Sequence, residues 1–156
     1  ALSEFPHASG VGIDASEQAL EIARANAEAT SLTDRAQMVH GDWRTQGWSA
    51  GLPGPFDLIL ANPPYIEADA ALARQVMEHE PHSALFAGAE GLDDYRILIP
   101  SLPALLADRG VAIFEIGASQ REAVSAIAAA HGYDTQCRRD LAGHDRALML
   151  RRRAAT

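Results

Sequence analysis

The chain has 156 residues, 47% of them apolar, which is room for one domain with a real core and little beyond it. Its formal net charge of −8 opposes a default nucleic-acid reading, because phosphate binding normally needs a basic surface. The single Cys137 supplies neither a disulfide framework nor a metal cluster, and no apolar run approaches the about 18 residues of a membrane span, so a reducing, cytoplasmic setting without membrane insertion or secretion is expected.

The opening Ala1-Leu2-Ser3-Glu4-Phe5-Pro6 reads as the tail of a helix, and Gly10-Val11-Gly12-Ile13-Asp14 as a short buried strand. Ser16 is a good N-cap for a helix from Glu17 to about Thr30. Its apolar stripe is Leu20, Ala23 and Ala27, widened by Ala19 and Ile22. A second strand runs from Ala36 to His40 and ends at Gly41-Asp42; Gly47 to Pro55 is loop. Phe56 to Ala61 is nearly all apolar after Asp57, the pattern of a strand covered on both faces. Pro63 and Pro64 cannot continue it, and the segment leaves the sheet as a stiff arm. Residues 67 to 77 read as helix and 79 to 88 as an irregular loop.

Glu90 to about Leu106 reads as a helix with acids in its first turn and a kink at Pro100. Gly110 starts the strand Val111 to Ile116. Ser119 and Glu122 form a capping box for a helix with Val124, Ile127 and Ala128 on one side, and Gly132 stops it. Two strands, about Asp134 to Arg138 and Ala147 to Arg151, have no helix between them and should pair antiparallel. Arg151-Arg152-Arg153 reads as a solvated end rather than a nucleic-acid tail. The fold class is α/β: a mostly parallel, Rossmann-like sheet that ends in an antiparallel hairpin.

In such sheets ligands sit at the carboxyl ends of the strands, where Asp14, Asp42, Asn62 and Glu115 fall. Asp14 can accept both hydroxyls of a ribose or start the following helix. Asp42 beside Trp43 suits an adenine ring and its amine; Gly-Asp is also a common turn. Asn62 is more specific. Its carbonyl oxygen, with a backbone carbonyl such as that of Pro63, can hold both hydrogens of a planar NH2 group as a methyl group approaches in line. Tyr65 can stack on that group. Glu115 can brace a neighbouring loop or touch substrate. His79, Glu80, His82 and His144 have no compact metal-ligand spacing, and no metal is expected.

These residues carry a resemblance. Gly12-Ile13-Asp14-Ala15-Ser16, Ala25-Asn26-Ala27, Gly41-Asp42-Trp43, Asn62-Pro63-Pro64-Tyr65-Ile66, Glu80-Pro81, Gly91-Leu92 with Tyr95-Arg96, Glu115-Ile116-Gly117 with Gln120, and Asp140-Leu141-Ala142-Gly143 with Asp145-Arg146 resemble the peptide chain release factor N5-glutamine methyltransferases. The match covers nearly the whole chain. It implies methyl transfer from S-adenosylmethionine to the glutamine of a Gly-Gly-Gln segment in class I release factors. Asp14 would bind the cofactor ribose, Asp42 and Trp43 border the adenine, and Asn62, Pro63, Pro64 and Tyr65 clasp the glutamine amide. Asn62 and the backbone of Ala61 would also face the cofactor. The roles of Glu80 and Arg96 stay open between bracing and substrate contact.

The family's small helical domain and its first strand with a glycine-rich loop have no counterpart in these residues. Without that strand, the strands at Val11 and Leu58 would lack their shared neighbour and expose backbone groups. Residues 1–156 are therefore expected to form a partial class I methyltransferase catalytic domain, a piece or truncated form of a longer chain. The competing readings are an adenine N6-methyltransferase acting on a flipped base, which the charge opposes, and a non-catalytic remnant of the fold.

Overall fold

The computed structural model describes residues 1–66 and 87–154, which fall into two compact units, Ala1–Ala50 and Gly51–Thr156. The expected helix and loop at 67–86 lie outside the described residues, as do Glu80, His79 and His82.

The first unit is a parallel strand pair with one helix. β1 (Gly10–Asp14) pairs with β2 (Ala36–His40) in register from Gly10 opposite Ala36 to Asp14 opposite His40. Between them α1 (Glu17–Ala29) starts at Ser16, whose Oγ accepts from the Ala19 amide at 3.3 Å. Leu20 and Ala27 are buried, but Ile22 is 63% exposed. Two residues from Leu20 on a 3.6-residue period, Ile22 points to the far side and falls outside the stripe. The opening residues are not a helix tail. They make one turn, with the amides of Glu4 and Phe5 on the Ala1 carbonyl. Pro6 disfavours helical Phe5, and the Arg35 guanidinium instead takes the carbonyls of Leu2, Phe5 and Ala8.

The second unit is a four-stranded sheet in the order β3 (Phe56–Ala61), β4 (Leu106–Glu115), β6 (Asp145–Arg152), β5 (Tyr133–Arg139). β3 and β4 are parallel and β6 runs antiparallel to both its neighbours, so β6 alone is reversed, as expected of a sheet closed by a hairpin. β4 begins at Leu106 rather than Val111. Phe56 faces Leu106 and Leu58 faces Val111, so the extra residues bulge out of the ladder. A Cβ on Gly110 would stand 2.9 Å from the Phe56 carbonyl oxygen, which explains glycine at the bulge.

α2 (Asp93–Leu105) starts three residues later than expected, because Gly88 to Gly91 form a turn, and it runs on through Pro100 and Pro103. α3 (Arg121–Ala130) buries Val124 and Ala128. Its capping box does not form: the N-cap is Gln120, with no side-chain cap bond. The core lies on one side of the sheet, where Ala112, Phe114, Tyr133, Leu148 and Leu150 meet Tyr95, Ile99, Leu102 and Val124 of the helices. Two faces were expected to be covered. Instead Leu58 and Leu60 are 41% and 58% exposed, because they pair with Val111 and Ile113 on the side opposite Ala112 and Phe114. Among the described residues β1 pairs only with β2, and β3 only with β4.

Candidate functional site

In the first unit both candidate carboxylates sit at the same edge. β1 and β2 are parallel, and the Gly41 amide bonds the Asp14 carbonyl at 3.0 Å, tying the two strand ends together. Asp14 Oδ1 accepts from the Ser16 amide at 2.8 Å, and Asp42 Oδ1 from the Arg44 amide at 2.8 Å. Each therefore shapes its own turn with one oxygen, the local role left open by the sequence, while both side chains remain exposed. Trp43 is half-buried beside them in sequence. A solvent-facing carboxylate at a strand end can still accept a diol or an amine with its other oxygen, so this edge fits a nucleoside.

In the second unit Ala61 ends β3 opposite Phe114, which brings Asn62 level with Glu115 at the end of β4. Asn62 is exposed, Pro63 and Pro64 are buried, and Tyr65 is half-buried. The two prolines are thus enclosed while the Asn62 amide stays accessible. A cavity of about 430 Å³ opens at this end of the sheet, lined by Leu60, Ala61, Asn62, Ile113, Glu115 and Arg146, among others. A larger polar groove lies elsewhere, along α3 and the β5–β6 hairpin, and contains none of the candidate residues.

Glu115 is held at both ends. Its carbonyl accepts from the buried Tyr95 hydroxyl at 2.7 Å, and its carboxylate meets the Tyr65 hydroxyl at a long 3.4 Å. Burial, ahead of the neighbouring Tyr65, Glu115 and Asp94, pushes the Tyr95 hydroxyl well above its usual range. Arg146, to which sequence reading assigned no role, lines the cavity with its guanidinium oriented by the Ile116 carbonyl and the Asp140 carboxylate, both at 3.3 Å. Asp140 also accepts the amides of Ala142 and His144, and the His144 amide is the first cause of its lowered pKa. Arg96 pairs with Glu90 and Asp93 at exposed positions, so it braces its own turn. No group of three metal-ligating side chains occurs among the described residues.

Gln120 also lacked an assigned role. It lies just before α3, and its side-chain amide reaches the backbone of Tyr65 and Gly91. The Tyr65 carbonyl is engaged there, while Asn62 is exposed at the strand end, where its side-chain oxygen and a neighbouring backbone carbonyl such as that of Pro63 can serve as acceptors. That arrangement can grip a planar NH2 group.

The model of the family described as "Methyltransferase small domain" matches residues 1–89. The chain belongs to that family. It is 45% identical to a release factor glutamine methyltransferase of Rhodospirillum rubrum, over 99% of this chain and 47% of that protein. It is 42% identical to one of Caulobacter vibrioides, over 95% of this chain and 51% of that protein. The chain thus spans about half the length of these curated relatives. A methyltransferase crystal structure from Pyrococcus furiosus superposes with a TM-score of 0.70, covering 98% of this chain and 67% of that one at 14% identity. The fold is that of the Rossmann-like methyltransferases, with a mixed sheet. No described helix is long and apolar enough to cross a membrane.

Proposed function

We propose that this chain is part of a class I methyltransferase catalytic domain, acting in the cytoplasm, that methylates the side-chain amide of glutamine in the Gly-Gly-Gln segment of a class I peptide chain release factor. The observation that carries the reading is the accessible Asn62 fixed ahead of the buried Pro63 and Pro64 at the carboxyl end of β3. The activity of the relatives, release factor glutamine methyltransferases, supports the same substrate.

S-adenosylmethionine, when bound, supplies an electrophilic methyl group. Asp14 would hold its ribose and Asp42 with Trp43 its adenine, which fits the carboxylates at the ends of β1 and β2. An amide nitrogen is a poor nucleophile because its lone pair is delocalised. Asn62 Oδ1 and the Pro63 carbonyl accept its two hydrogens, aim the nitrogen, and stabilise the positive charge that grows on it as the bond to carbon forms. As the methyl carbon bonds to nitrogen its bond to sulfur would break, leaving a neutral thioether, and the proton would then pass from the cationic nitrogen to solvent, so no strong base is required. Tyr65 walls the planar group.

The test offers a release factor and an adenine-containing duplex together with methyl-labelled cofactor, to the protein and to its Asn62→Ala variant. Label on the glutamine, reduced on the order of 100-fold in the variant with cofactor affinity unchanged, is expected. Label on adenine transfers the reading to the base, and no cofactor binding at all supports the non-catalytic remnant.

A further inference from the structure

Gln120 is 7% exposed, and its amide joins three segments distant in sequence. Oε1 accepts from the Gly117 amide at 3.0 Å; Nε2 donates to the Tyr65 carbonyl at 2.9 Å and the Gly91 carbonyl at 3.1 Å. A donor on one side and carbonyls on the other fix which way the amide points. The surroundings leave little slack. A Cβ on Gly91 would fall 2.4 Å from the Tyr65 oxygen and 2.7 Å from Gln120 Nε2, and one on Gly117 would touch the Tyr65 ring at 3.4 Å.

Between β3 and this anchor lie only Asn62 and two prolines whose φ angles are locked. The segment is an arch with one foot in the sheet at Ala61 and the other on Gln120. Few torsions remain once both feet are fixed, so the far foot decides where Asn62 Oδ1 and the Pro63 carbonyl aim. We propose that Gln120 is a positioning residue of the 62–65 arch, a role that rests on reading that arch as the amide clasp. It touches neither substrate nor cofactor; it acts through the Tyr65 carbonyl.

Two variants separate its donor from its shape. Gln120→Leu removes both ends of the bridge, while Gln120→Glu keeps the acceptor for Gly117 but loses the donor to Tyr65 and Gly91. Gly91→Ala attacks the same joint with Gln120 in place and serves if Gln120→Leu fails to fold. Amide hydrogen exchange is read at Tyr65 and Ile66, alongside kcat and KM with a release factor and labelled cofactor. Exchange at those amides should rise on the order of tenfold while β4 and β6 keep their protection. Turnover should fall on the order of 10- to 100-fold, as for a misplacement near 1 Å, with the cofactor KM unchanged. Unchanged exchange in all the folded variants, or raised exchange with unchanged kcat, overturns the proposal. Raised exchange in the variants, with a parent protein that leaves release factor unmethylated, would sink the glutamine reading and keep the Gln120 anchor.

Discussion

Tyr95→Phe tests the brace behind Glu115. The phenol is fully buried, and its hydroxyl donates to the Glu115 carbonyl at 2.7 Å. Phenylalanine fills the same space and keeps the edge-to-face packing on Phe114, whose ring centre is 6.1 Å away at 64°. Only the hydrogen bond is removed, and a part-buried carbonyl loses that donor, so the expected cost is about 1–2 kcal/mol. For a domain of this size that lowers Tm by roughly 2–8 °C. Tyr95→Ala should cost about 3–5 kcal/mol, because it adds a cavity. The pH dependence gives a second reading of the same group. The Tyr95 hydroxyl is held above its ordinary value of 10.0, so the fold favours the protonated form. That stability is fully present below about pH 10, the unfolded value, and is lost as pH rises through the higher folded value. The phenylalanine variant should therefore lose less stability than the parent above pH 10. Urea titrations at neutral and alkaline pH measure both effects. A neutral-pH change inside about 0.5 kcal/mol, the range of surface substitutions, with parallel alkaline curves, refutes the assignment.

Two further outcomes concern the first unit. Asp14→Asn keeps an oxygen for the Ser16 amide, so the melting curve should hardly move, while affinity for S-adenosylmethionine, read by calorimetry, should fall several-fold if the carboxylate binds the ribose; equal affinity would leave Asp14 as a turn residue only. Ser16→Ala removes the 3.3 Å bond to the Ala19 amide and should cost about 0.5–1 kcal/mol, at the low end for an N-cap because the bond is long; a thermal melt followed by circular dichroism checks it.

What the sequence made legible was set by local chemistry. β1, β2 and β3 have the bounds expected, because each apolar run is stopped by a carboxylate, a Gly-Asp pair or a proline pair within the run's own neighbourhood. Ser16 caps α1 for the same reason. The misses came from distant partners. Ser119 and Glu122 spell a capping box, yet the helix begins beyond Gln120, whose amide is recruited by Tyr65, 55 positions away. The start of β4 was hidden by Asp108 and Arg109, polar residues that the bulge sets outside the ladder. The apolar run at Phe56 signals burial but not which face is covered, so the exposure of Leu58 and Leu60 was not readable from it. The candidate carboxylates and Asn62 were legible as strand-end residues; the anchors Gln120, Tyr95 and Arg146 were not, since their roles exist only once three or more segments meet.

The choice of two prolines after Asn62 follows from a conflict at this strand end. The clasp proposed for residues 62–65 must be rigid, which favours burial, yet burying irregular backbone strands N–H donors that no ladder satisfies. Proline has no N–H, so the buried Pro63 and Pro64 add stiffness without adding orphan donors. Their carbonyls remain, and so does that of Tyr65, which would compete with the site's own acceptors if it turned outward. Gln120 Nε2 occupies that carbonyl with a 2.9 Å hydrogen bond. On the function proposed above, the exposed Asn62 supplies Oδ1 and Pro63 its carbonyl, two acceptors for two amide hydrogens. On this argument Pro63→Ala should harm more than flexibility alone predicts, because it restores a buried donor as well as a free torsion. A variant with unchanged turnover and unchanged melting temperature would refute the role of the missing N–H.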